Sequence, residues 1–153
     1  MSEAMSKGQL LRAFAAAYEM IITTAEAAEQ NGVTSPAGTW GPREILAHLA
    51  GWEVIATVRI PHILAGMTPH DESDRQQQRV MNDALNAAMV ALVGEQPLAS
   101  VCGILRQAYQ RDIAILSEID DALFHPGAYV YERTKDVIEH CQEHTEMLAA
   151  HQL

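Results

Sequence analysis

Cysteine, aromatic, glycine, proline and basic residues are all scarce in this 153-residue sequence. The two cysteines, Cys102 and Cys141, are too few for a disulfide framework and form no C-x-x-C pair, so both read as reduced, buried thiols. Aromatics make up only 5% of the chain. With six prolines and nine glycines there is also no low-complexity or interdomain linker tract. Ten Lys and Arg against 20 Asp and Glu give a formal charge of −10, which argues against a broad basic surface for nucleic acid. No Lys/Arg cluster offers a local substitute. No apolar run approaches the ~18–20 residues that cross a bilayer. The polar, mixed-charge N-terminus is unlike a secretory signal. The expectation is a cytoplasmic protein that binds neither nucleic acid nor membrane.

Hydrophobic residues reach 48%, enough to bury one substantial core and form a single domain over residues 1–153. Ala, Leu, Glu, Gln and Met dominate and β-branched runs are few, which favours helix. Leu10, Leu11, Phe14, Ala17, Tyr18, Ile21, Ile22 and Ala25 recur at helical spacing from Ser6 to Gln30, and Asn31-Gly32 supplies a stop. The segment 33–38 reads as a loop. A second helix runs from Pro42 to about Ala65, with a kink or break expected near Val58–Ile60 because Pro61 lies inside it. Residues 67–74 read as a crossing loop. A shorter third helix spans Arg75 to Val93, with Val80, Met81, Leu85, Met89 and Leu92 on one face and Met81 and Met89 as core fillers. A fourth runs from about Leu98 to Leu123, with Val101, Ile104, Leu105, Ala108, Ile115, Leu116 and Ile119 inward. The last occupies about Tyr131 to Ala150. The fold class is all-α: a four-helix bundle with a crossover connection and one extra short helix.

The second helix opens on Trp40-Gly-Pro-Arg-Glu44-Ile-Leu-Ala-His48-Leu-Ala-Gly-Trp52-Glu53. Gly41 suits the N-cap, Pro42 the first helical position, and Glu44 the positive end of the helix dipole. Trp40 stands in the staple relation to Ile45. His48 lies beside Ile45 and Leu49, where a titratable ring needs a partner: a backbone carbonyl, Glu44, or a metal. The last helix holds His140-Cys-Gln-Glu-His144, and residues four apart stack on one helical face, so both imidazoles can reach one ion. Three protein ligands would leave a zinc-like ion an open position for water or substrate. The pair alone is a weak signal in a chain with seven histidines. His62, His70, His125 and His151 read as surface residues.

The second-helix segment, followed by Ile63-Leu-Ala-Gly66 and closed by His140-x-x-x-His144, resembles the DinB/YfiT-like superfamily. The resemblance runs through the chain in element order, at motif level in the second and last helices only. It implies a divalent metal (Zn, Ni, Fe or Mn) held by His48, His140 and His144. It also implies a low-molecular-weight thiol as a second cofactor, a small-molecule substrate and a homodimer. Members of that family include thiol-dependent S-transferases and isomerases; the function implied is activation of a thiol or a water for attack on an electrophilic small molecule. Many members place Gln where this chain has Met147. The alternative is a non-catalytic bundle that binds an apolar ligand or protein partner, with structural histidines. No general base is evident. Glu53, five residues from His48 and so pointing away from it, reads as a surface or dimer-contact residue. Arg106, Arg111 and Asp112 read as a solvated helix face, with anchoring of a carboxylated thiol such as glutathione as the functional alternative. Tyr109, Tyr129 and Tyr131 read as packing residues with wet hydroxyls, or as donors to a substrate.

Overall fold

A computed structural model describes residues 4–34, 40–66, 75–93 and 95–150. Among these, five α-helices account for the architecture: α1 (Lys7–Gln30), α2 (Pro42–Leu64), α3 (Arg75–Val93), α4 (Leu98–Ser117) and α5 (Tyr129–Ala150). No strand occurs among the described residues. The chain is a helical bundle in which α1 packs chiefly along α5, α2 along α4, and α3 on α2. The expected segment 67–74 lies outside the described residues, as do 35–39, His70 and His151.

Local chemistry explains the helix ends. Ser6 and Gln9 form a reciprocal capping box at α1. At α2 the Gly41 amide donates to Glu44 Oε2 at 3.0 Å, so Glu44 is committed to its own helix end and is no partner for His48. The helix continues through Pro61 to Leu64 instead of breaking at 58–60. Pro61 stands in the last turn, where one internal hydrogen bond is lost and Pro61's own carbonyl still accepts from Ala65 at 3.0 Å. By contrast α4 stops at Ser117, short of the expected Leu123. Lys7 Nζ on α1 takes the carbonyls of Ser117 and Ile119 at 2.7 and 2.5 Å and pairs with Asp121 at 3.1 Å. The Asp120 carboxylate then caps a 3-10 turn at Asp121–Leu123. This cap from α1 satisfies the carbonyls that would otherwise have called for another helical turn.

The core draws on the expected stripes: Leu10, Phe14, Tyr18, Ile21 and Ile22 of α1 are essentially inaccessible, as are Ile45 and Leu46 of α2 and Leu105 and Leu116 of α4. The third helix departs from expectation. At 19 residues it is nearly as long as the others, yet only Met89 is buried. Val80, Met81 and Leu92 face outward instead of filling the core. Close approach of α3 to α2 depends on Gly51, since a Cβ there would come within 3.0 Å of the Cβ of Met89 and closer still to its sulfur. Contact at that point brings the same face of α3, with Asn86 and Asn82 one and two turns before Met89, to the wall of a cavity between the helices.

Candidate metal centre

His48 from α2 and His140 and His144 from α5 meet at one point. The Nε2 atoms of His48 and His140 are 3.1 Å apart, and those of His140 and His144 are 3.2 Å apart. One nitrogen from each ring lies within 4.8 Å of the other two. An ion bound at about 2.0–2.1 Å to two imidazoles, at angles between octahedral and tetrahedral, holds their nitrogens about 2.9–3.4 Å apart. The two spacings to His140 Nε2 fit that range. His62 and His125 are exposed and stand apart from the cluster.

Hydrogen bonding decides which nitrogen points inward. Trp52 Nε1, one turn along α2 from His48, donates to Asn86 Oδ1 at 2.7 Å, and an indole N–H can only donate. The atom it meets is therefore the amide oxygen. That same oxygen lies 2.9 Å from His48 Nδ1, so His48 carries its proton on Nδ1 and presents a bare Nε2 lone pair. His140 Nε2 then faces two neighbours and can give at most one proton to either. One of the two nitrogen contacts is left with lone pair against lone pair, or proton against proton, unless a cation stands among the rings. Among the described residues His144 Nδ1 is buried without a hydrogen-bond partner, and His140 Nδ1 has only a loose approach to Glu143 at 3.9 Å. The donor set fits a divalent ion better than it fits neutral histidines alone.

Burial keeps these rings in the ligating form. Desolvation, then the neighbouring His140, pushes His48 down to about 4; desolvation with His140 and His48 does the same to His144. Burial also lowers His140, with Glu143 acting against it. All three are neutral near pH 7, with lone pairs available. The Trp40 ring lies 5.0 Å from that of His48, so the residue before the α2 cap also borders the centre.

The cluster borders a cavity of about 630 Å³, within the range of small-molecule sites. His48 and His140 form part of its wall, with Trp52, Glu53, Arg59 and Arg133. Here two expectations are overturned. Glu53 is not a surface or dimer-contact residue: it is 1% exposed, and Arg133 Nη2 of α5 donates to both its carboxylate oxygens at 2.8 and 2.7 Å. Asp112 is not part of a solvated face: it is fully buried, with Oδ2 3.6 Å from the same guanidinium nitrogen. The helix face expected there belongs to Arg111, which is exposed, and to Arg106, which pairs with Glu19 of α1 at 3.1 Å. Tyr109 is a packing residue, stacked on Tyr18 with its hydroxyl on Glu19. Tyr131 packs likewise, its hydroxyl accepting from the Met5 amide, whereas Tyr129 lines the cavity.

Comparison with protein-family models, with curated proteins and with solved structures gives no match. The class of protein is thus defined by the molecule itself: a helical bundle whose described residues bring three histidines together as a possible metal site beside a cavity.

Proposed function

We propose that the protein is a metal-dependent enzyme of the DinB/YfiT-like kind, with a divalent ion (Zn, Ni, Fe or Mn) held by His48, His140 and His144. The observation that carries this reading is the convergence of three Nε2 atoms on one point at the edge of the cavity. Three neutral imidazoles leave such an ion an open coordination position. When bound, the ion would lower the pKa of a thiol or a water, which would then attack an electrophilic small molecule. The chain's own residues define the rest. Asn86 fixes the His48 tautomer, and Trp52 fixes Asn86. The test is elemental analysis of untagged protein beside its His144→Ala and Asn86→Leu variants. Near-stoichiometric metal is expected in the parent chain and little in His144→Ala. Asn86→Leu should bind about 10–100-fold more weakly, the usual cost of losing a histidine's outer partner. Unchanged metal content in His144→Ala would sink the proposal.

The homodimer implied by the resemblance has a surface to use. Val54 and Val58 of α2, with Val80, Met81 and Leu92 of α3, are more than half exposed. Such apolar exposure favours association through these two helices. Light scattering should give the mass of two chains, and a mass of one chain would exclude the dimer.

A further inference from the structure

A second polar centre lies in the same cavity and uses none of the histidines. Glu53 of α2, Asp112 of α4 and Arg133 of α5 gather two carboxyl groups on one guanidinium, all deep in the bundle. Counted as ionised, they would leave one uncompensated negative charge in the core, which burial strongly disfavours. Hydrogen bonding shows where the charge is relieved. Both oxygens of Glu53 receive Arg133 Nη2, whereas among the described residues no donor comes within hydrogen-bonding distance of either oxygen of Asp112, Arg133 Nη2 standing 3.6 Å from Oδ2. A fully buried carboxylate without a donor is untenable, but a carboxylic acid that donates toward Glu53 is not.

The surroundings agree. From α1 the Tyr18 hydroxyl faces Glu53 without a hydrogen bond of normal geometry, and burial beside that carboxylate raises it well above its ordinary range. From α5 the Cys141 thiol is pushed up to about 12 by burial, then by Glu53. Tyr129 is also raised by burial. None of these neighbours is charged near neutrality, so among the described residues Arg133 is the one cation paired with the two carboxyl groups, while Arg59 also lines the cavity. Burial, followed by the Glu53 carboxylate, pushes Asp112 from 3.8 up to about 9.

We infer that Glu53 and Asp112 share one exchangeable proton around Arg133, and that this pair is the proton donor and acceptor for a ligand in the cavity. Glu53 and Arg133 form part of the cavity wall and Asp112 does not, so exchange runs through Glu53. As chemistry, the inference rests on the proposed function and supplies the acid–base group that the motif itself lacks. The thiol or water loses one proton as it becomes the nucleophile. The new bond forms at the electrophilic carbon, and the displaced electron pair settles on an electronegative substrate atom. The pair gives its proton to that atom and is refilled by the proton the nucleophile released. Each cycle ends with one proton on the pair, as it began.

Infrared spectroscopy on chelator-treated protein tests this apart from any metal. At pH 7 a protonated-carboxyl band is expected in the parent chain and should be missing from Asp112→Asn. On transfer to D₂O the band should shift at once, while core amides are still protonated, because the proton is reached from the cavity. A missing band, or one that shifts only as slowly as the core amides, overturns the inference. Stability gives an independent readout. A carboxyl group raised in the folded state contributes stability fully present below pH 3.8 and lost as pH rises toward 9. Asparagine cannot ionise, so Asp112→Asn should gain on the parent chain as pH rises from 5 to about 9, measured by urea midpoints. A difference that stays flat over that window overturns it too.

Discussion

Replacing Arg133 with methionine is expected to remove about 3–5 kcal/mol of stability, the usual cost of breaking a buried ion pair from one side. Among the described residues the guanidinium is the sole cation paired with two buried carboxyl groups, and it sits 5.6 Å over the Phe14 ring, so its loss strands Glu53 and removes a core contact together. A single domain holds only about 5–15 kcal/mol in all, so the variant should unfold at a much lower urea concentration. Adding Glu53→Gln and Asp112→Asn removes the stranded charge, and the triple variant should recover most of the loss. The half-exposed pair of Arg106 and Glu19 is the control: it has a comparable hydrogen-bond count, but solvent screens it. Arg106→Met should cost about 1 kcal/mol or less. An Arg133→Met midpoint no lower than that of Arg106→Met would mean that the buried cluster is not held by its charge balance.

The contrast between these two pairs also separates what the sequence discloses from what it hides. The start of α2 is legible residue by residue, because Gly41, Pro42 and Glu44 satisfy local rules that act within one turn. The three histidines are legible for a related reason: His140 and His144 share a face by spacing alone, and His48 follows Ile45 on the inward side. Asn86 escapes because its role is set by a helix contact that Gly51 permits, and nothing within α3 announces it. The apolar residues of α3 mislead for the converse reason. Their spacing predicts a buried stripe, but only Met89 among them is buried.

Glu53 and Asp112 carry a signal that is visible once register is counted. Glu53 falls between Leu49 and Ala56 on the stripe that ends at Ile60, and Asp112 between Ala108 and Leu116. Arg133 lies in line with Val130 and Val137. A charge in a buried register on each of three helices finds its compensation inside the bundle, because burial in that register costs too much for an unpaired charge. Reading Glu53 from its angle to His48, or Asp112 from its charged neighbour Arg111, misses this. The burial stripe is the stronger guide.

Adding a divalent ion should raise the melting temperature of the metal-stripped protein by roughly 8–16 °C once the free ion exceeds its dissociation constant about 1,000-fold. The magnitude follows from linkage: a ligand at that excess adds about 4.1 kcal/mol to the folded state. One kcal/mol moves the midpoint of a domain of this size by about 2–4 °C. The gain is realised because the site exists only in the fold. Two helices far apart in sequence supply the rings, and Asn86 from a third orients one of them. A chelator should reverse the shift, and His48→Ala should abolish it. The abundant acidic side chains make that variant the necessary control, since weak ion binding to surface carboxylates would survive it. A shift of equal size in His48→Ala would place the ion elsewhere. No shift in either protein, for any of Zn, Ni, Fe or Mn, would leave the three rings without a metal and remove the basis for metal-dependent catalysis.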